Sequence, residues 1–388
     1  MTSVHRRAVP VPSRLGIGPM SKNAVDACIA VAHRRRQPLM LIPSRRQVEA
    51  EAQGGGYVEG WNTETFAAYV RHHDPEGLIL LCRDHGGPYQ NPRERAERLS
   101  GEAAMISAMA SFREDVQQGF DLLHIDTSMD LDGVADVQVA IDRAVELYGE
   151  CAEAAAQAGR SPMYEIGFED QGRDTNDPFE FRDQLDAVLA ALARHGLPRP
   201  TFVVAQTATK VVETDNVGAF SAAPSAVTYT VSALAGLTAD RGIALKAHNC
   251  DYLTGAEVRA LSGAGVDALN VAPEFGVVET RAFLRLLDRL GLTAQRDAFL
   301  AEAYASGLWR KWMAPDTTAT DTDRAVIAGH YVYGSAKFAE IKEVAAKAAI
   351  REGIDVDTYL RDAVAEAIER YAAALPHPVP SPLAVAGN

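Results

Sequence analysis

The sequence predicts an α/β fold: a (β/α)8 TIM barrel with additional C-terminal helices. Three observations carry that reading. Seven short Leu/Ile/Val runs lack the polar alternation of a half-exposed strand, as expected where both faces of a parallel sheet are covered. A helical pattern follows most of them. Over the first six runs the strand starts recur about every 40 residues, the spacing of βα units with long loops. Seven such units in one chain favour a closed barrel over an open doubly wound sheet.

The strand runs, in order, are QPLMLIPS from Gln37, GLILLCRDHGG from Gly77, FDLLHIDTSM from Phe120 and PMYEIGFEDQG from Pro162. RPTFVVAQTATK from Arg199, RGIALKAHN from Arg241 and VDALNVAPEFG from Val266 follow. Helical spacing of apolar residues covers 101–118, 134–158, 219–241, 255–264 and 279–290. A further helix opens on Asp177 as N-cap with Pro178 in its first turn, and closes at Gly196. The eighth strand is sought in GLWRKWM from Gly307. The expected organisation is therefore an N-terminal tail over 1–18 and the barrel over 19–320. A helical region packed on the barrel spans 321–375, and a loose Pro-rich tail 376–388.

Composition narrows the function. Of 388 residues, 47% are hydrophobic and 23% charged, an ordinary globular balance. Lys and Arg number 38 against 52 Asp and Glu, a net charge of -14 that repels nucleic acid and anionic lipid. The four cysteines show no CxxC spacing, which fits a reducing cytoplasm. No secretory leader and no apolar run long enough to span a membrane is seen. Neither GxGxxG nor GxxxxGK[ST] occurs, so no nucleotide cofactor is indicated.

In a barrel, chemistry sits where strands end. Here those ends hold Asp84 and His85, then His124 and Asp126, then Glu165 and Glu169, then Lys246 and His248, then Asn270 and Glu274. Residues two apart share one side of a strand. Buried polar groups cost free energy unless paired, so this convergence points to an active site. Mixed His and carboxylate donors suit Zn²⁺, with Mn²⁺ as the alternative, acting as a Lewis acid on a substrate carbonyl. Lys246 is also a candidate Schiff-base lysine. Gly54–Gly56, Thr207, Thr209, Lys210 and Gly334–Ser335 are weaker phosphate-binding candidates.

Several segments resemble a known family. SRRQVEAEAQGGGYVEGW from Ser44 is similar to an NQVNQFGGYTGM-like loop, and RDHGGPYQNP from Arg83 to a GDHLGPNRW-like motif. QQGFDLLHIDTSMD from Gln117 resembles an AGFxKIHLDTSM signature, VVAQT from Val203 a VVQPG, and KAHNCDYL from Lys246 an EAHSTDYQ. These are motifs of the tagatose-bisphosphate aldolase GatZ/KbaZ-like family, matched in order from about residue 15 to 290. Lys246 replaces that family's glutamate, and GFEDQG at Gly167 replaces a TEVP-type sequence.

The resemblance implies a class II aldolase-type barrel acting on a phosphorylated sugar through a metal-stabilised enediolate. Epimerisation of a ketose phosphate at the same site is one alternative. A non-catalytic subunit supporting a separate aldolase subunit is another, and a homo-oligomer is expected. In the enzyme reading His85, Glu169 and His248 are the expected metal ligands. Asp84 or Asp126 is the general base, with Glu274 as its acid/base partner. Arg45, Gln47, Lys246, Gln206 and Asn249 are expected to bind substrate, Arg45 and Lys246 at its anionic end.

Overall fold

The computed structural model describes residues 9–167 and 173–377. Eight parallel strands close into a barrel: β1 (Leu15–Ile17), β2 (Leu39–Leu41), β3 (Ile79–Gly86), β4 (Leu122–Ile125), β5 (Met163–Gly167), β6 (Phe202–Val204), β7 (Ala244–Ala247) and β8 (Ala268–Val271). Each pairs with its neighbours in sequence, and β8 pairs with β1 in the register Leu15 to Leu269. The helices after the strands are α1 (Lys22–Arg35), α2 (Thr63–His73), α3 (Gly101–Gln117), α4 (Val137–Gln157), α5 (Pro178–Arg194), α6 (Pro224–Asp240), α7 (Gly255–Gly263) and α8 (Pro273–Arg289). Then follow α9 (Thr293–Ala305), α10 (Asp321–Ala328), α11 (Ala336–Ala349) and α12 (Val356–Ala374).

Barrel closure differs from expectation at one place. The segment from Gly307 forms no strand: Arg310–Trp312 is a short 3₁₀ turn over the barrel mouth. The missing strand is β1, inside the expected N-terminal tail. It is short, and glycines interrupt it for a steric reason. A Cβ on Gly16 would lie 2.3 Å from Asn270 Oδ1 of the neighbouring strand.

The alternation of side chains along the strands builds the interior in layers. At the lower level Met40, Cys82, Leu122, Phe202, Ala244 and Ala268 form an apolar plug with Val9 and Val11. Two residues further up the strands, the inward positions become His124, Glu165, Lys246 and Asn270, all buried. Outward residues such as Leu123, Ile125, Ile166, Val203 and Leu245 pack under the helices in the main core. The polar layer therefore rests on a rigid apolar floor.

The helical region after the barrel is as expected in kind, but its last helix has a particular place. α12 packs along α1, α7 and α8 and reaches β1, burying Val364, Ile368 and Tyr371 in the barrel's own core. It occupies the eighth place in the outer helical ring. α8 instead turns its Phe283, Leu286 and Leu287 into a second core with α9 and α11. Among the described residues no helix is long and apolar enough to cross a membrane. All four cysteines are buried free thiols.

Glu279 ties α8 to the start of α1. It accepts a hydrogen bond from Asn23 at 2.8 Å and another from Ser21, the N-cap of α1. Burial pushes its carboxyl up to about 7. A carboxyl raised from its ordinary 4.5 favours the folded state most below pH 4.5 and loses that contribution as pH rises through 7. Glu279→Gln is therefore expected to flatten the stability profile between pH 4.5 and 7, and to exceed the parent above it by on the order of 3 kcal/mol. Urea unfolding at pH 5 and pH 8 checks this; an equal loss in both proteins would count against it.

Candidate active site

Above the apolar floor, β3, β4, β5 and β7 bring Asp84, His124, Glu165 and His248 together. One donor atom from each lies within 4.8 Å of every other. His124 Nδ1 is 3.5 Å from Asp84 Oδ1 and 3.5 Å from Glu165 Oε1. His248 Nε2 is 3.7 Å from Asp84 Oδ1 and 3.5 Å from Glu165 Oε1. These separations are too long for strong hydrogen bonds and suit donors that converge on a small cation between them.

The donor chemistry fits a divalent metal. Among the described residues, Glu165 Oε1 is buried with no hydrogen-bond partner, which is costly for a carboxylate unless something positive faces it. Its other oxygen pairs with the Lys246 ammonium. Burial works to raise Glu165, but Lys246 first and then His124 outweigh it and hold the carboxyl at about 2. Burial likewise opposes ionisation of Asp84, and His85, His248 and His124 together keep it well below the carboxylate range. Two ionised carboxylates and two imidazoles make the O/N set that Zn²⁺ or Mn²⁺ prefers.

His85 stands beside this cluster, its ring centroid 5.0 Å from that of His248 and 5.5 Å from that of His124. Its backbone is left-handed at φ 43, which turns the side chain toward the cavity. Its Nδ1 bonds Asp126 at 2.7 Å, and Asp126 is itself fixed by Gln90 at 2.7 Å. Burial disfavours the imidazolium, but Asp84 and then Asp126 carry the His85 pKa up to about 9. The ring is thus a proton donor oriented by a carboxylate, with Nε2 3.7 Å from Asp84.

This arrangement redistributes the roles expected from sequence. His248 lies in the cluster with Asp84, His124 and Glu165. Asp84 is among the donors, and its low pKa suits it poorly as a base. Asp126 is engaged by His85 and Gln90. Glu169 lies outside the described residues. Glu274 sits in the first turn of α8, where Tyr252 N–H and Tyr371 Oη donate to it at 2.6 Å each and Arg370 pairs with it. Its oxygens are engaged by these groups, and Glu274 does not line the cavity that holds Asp84 and His248.

Among the expected substrate-binding residues, Gln47 and Asn249 line a cavity of about 430 Å³ that also contains Asp84, His85, His248 and Asn270. Gln206 is buried, and its backbone N–H donates to Asn176 Oδ1 at 2.7 Å. Arg45 is enclosed between Glu49 at 2.6 Å and Glu94 at 2.8 Å, and Lys246 is spent on Glu165. Both cations are paired inside the wall, and neither lines the cavity. The cavity instead presents Arg46, Lys311, Trp312 and Tyr331, which sequence reasoning passed over.

The D-tagatose-1,6-bisphosphate aldolase subunit GatZ/KbaZ-like family matches residues 15–290 of the sequence. The chain belongs to this family. No curated protein matches the sequence. Among solved structures, the GatZ/KbaZ-like chain is similar to a probable tagatose 6 phosphate kinase from Sinorhizobium meliloti 1021, at 21% identity and TM-score 0.74 over 93% of this chain and 100% of that one. The fructuronate-tagaturonate epimerase UxaE from Cohnella laeviribosi is 13% identical over 95% of this chain and 82% of its own, with TM-score 0.57. A fructose-bisphosphate aldolase from Campylobacter jejuni is 12% identical, with TM-score 0.52 over 93% and 90% of the two chains. These likenesses show a shared barrel.

The GatZ/KbaZ-like barrel also explains the glycine that ends β5. A Cβ on Gly167 would come within 2.9 Å of His124 Nε2. Gly167→Ala is expected to push the His124 ring off the cluster and weaken divalent-ion binding by roughly tenfold or more while the chain stays folded. Calorimetric titration of the metal-free variant with Zn²⁺ tests this; unchanged affinity would show that the ring has room to spare.

Proposed function

We propose that the chain is a divalent-metal-dependent, aldolase-type enzyme that makes or breaks a C–C bond in a ketose phosphate. The carrying observation is the convergence of Asp84, His124, Glu165 and His248 next to the His85–Asp126 pair, with Asp84, His85 and His248 lining one cavity at the C-terminal end of the barrel. Family membership supplies the sugar-phosphate setting. A metal held by those four residues would act as a Lewis acid on the substrate carbonyl. His85 would give or take the proton at the reacting carbon or oxygen, with Asp126 holding its ring in position. Lys246 would keep Glu165 ionised and aimed at the cluster. The floor of Leu122, Phe202 and Ala268 would exclude water from below.

One observation favours epimerisation as a second reading. Asp251 also lines the cavity, and burial raises its carboxyl to about 7. It would provide a second group able to exchange a proton near neutral pH, as removal on one face and return on the other require.

Proton and carbon NMR of the purified chain with ketose phosphates in D₂O, with and without chelator, tests the proposal. Chelator-sensitive appearance of triose or tetrose signals is the expected result. A new ketose with the same carbon number would favour the epimerase. No turnover of any substrate by a metal-loaded chain would favour the accessory-subunit reading.

A further inference from the structure

We infer that Arg46 and Lys311 form the subsite that receives the anionic end of the substrate. The inference rests on the functional reading above and deepens it by assigning the recognised group to residues.

Arg46 leaves the β2 loop and Lys311 the turn over the barrel mouth. Both line the cavity that holds the Asp84 and His248 end of the cluster. Among the described residues neither has a carboxylate within 4.0 Å, unlike Arg45 and Lys246, which are fully paired. The two cations are close enough to oppose each other: after burial, the Arg46 charge is what lowers Lys311. Although Lys311 is exposed overall, its ammonium is held over the Trp312 ring at 4.6 Å and the Tyr331 ring at 5.5 Å. Tyr331 in turn packs on Tyr57 at 5.1 Å, so these side chains form a continuous aromatic wall.

Like charges held together without a counter-charge are unfavourable unless an anion joins them. Arginine suits a phosphate or carboxylate through two parallel N–H bonds, and lysine adds a point charge. The same cavity is lined by His85, His248 and Asn270. A substrate with an anionic terminus at Arg46 and Lys311 would thus present its interior carbons to His85. Lys311, Trp312 and Tyr331 lie beyond the family match, which ends at residue 290.

The test is binding of inorganic phosphate, and separately of malonate, to the metal-free full-length chain by calorimetry. Comparison proteins are Arg46→Met, Lys311→Met, Lys311→Arg and His248→Ala. Each Met variant is expected to weaken phosphate about tenfold, with Lys311→Arg retaining most of the affinity. His248→Ala should bind phosphate like the parent, so failure of the metal reading would leave this result intact. Preference for malonate with the same variant pattern would support the anion subsite and assign it to a carboxylate. Binding of neither anion, or equal binding by every variant, would overturn the inference.

Discussion

If the cluster holds a divalent ion as proposed, His248→Ala is expected to strip it from the chain. The imidazole contributes one of four donors, and the remaining Asp84, His124 and Glu165 would leave an open, doubly anionic half-site. Loss of even an indirect ligand contact commonly weakens metal binding 10- to 100-fold, so removal of a direct donor should cost at least about a hundredfold. The fold should persist, because His248 lies beyond the end of β7 and above the apolar floor. The decisive measurement is metal content per chain after dialysis, alongside circular dichroism. Full occupancy in a well-folded variant would sink the four-donor assignment.

His85→Asn should give the opposite signature. Asparagine tolerates the left-handed backbone at this position, so the β3 end can keep its shape. It cannot replace an imidazolium that donates to Asp126 and faces the cavity. Metal content should stay near that of the parent while turnover falls by roughly 10²–10⁴, the usual contribution of a positioned proton carrier. Parallel loss of metal and activity would instead make His85 a fifth donor, with Asp126 as the carboxylate behind it.

Much of the barrel was legible because buried parallel strands leave continuous apolar runs, as LILLC and FVVA do. β1 was not: Leu15 and Ile17 flank a glycine demanded by Asn270, a contact 254 residues away in the chain. The polar layer was legible from the same-side rule, since His124, Glu165, Lys246, His248 and Asn270 follow inward positions at fixed steps. The division of roles within it was not. Asp84 and His85 are adjacent, and only the left-handed turn at His85 decides which side chain joins the cluster and which bonds Asp126. Arg45 and Arg46 are likewise neighbours with opposite fates, one locked between two glutamates and the other at the cavity rim. Sequence spacing does not distinguish them, because burial of a loop residue is set by what folds over it.

The position of α12 has a consequence for synthesis. Its ion pairs from Glu369 to Arg34 at 2.6 Å and Arg35 at 2.9 Å join the last described helix to the first. All eight strands have been translated by Val271, yet α12 begins only at Val356. At roughly 5–20 residues per second a ribosome needs several seconds to cover that gap. During that interval the nascent barrel has every strand but a bare apolar seam where Val364, Ile368 and Tyr371 will lie.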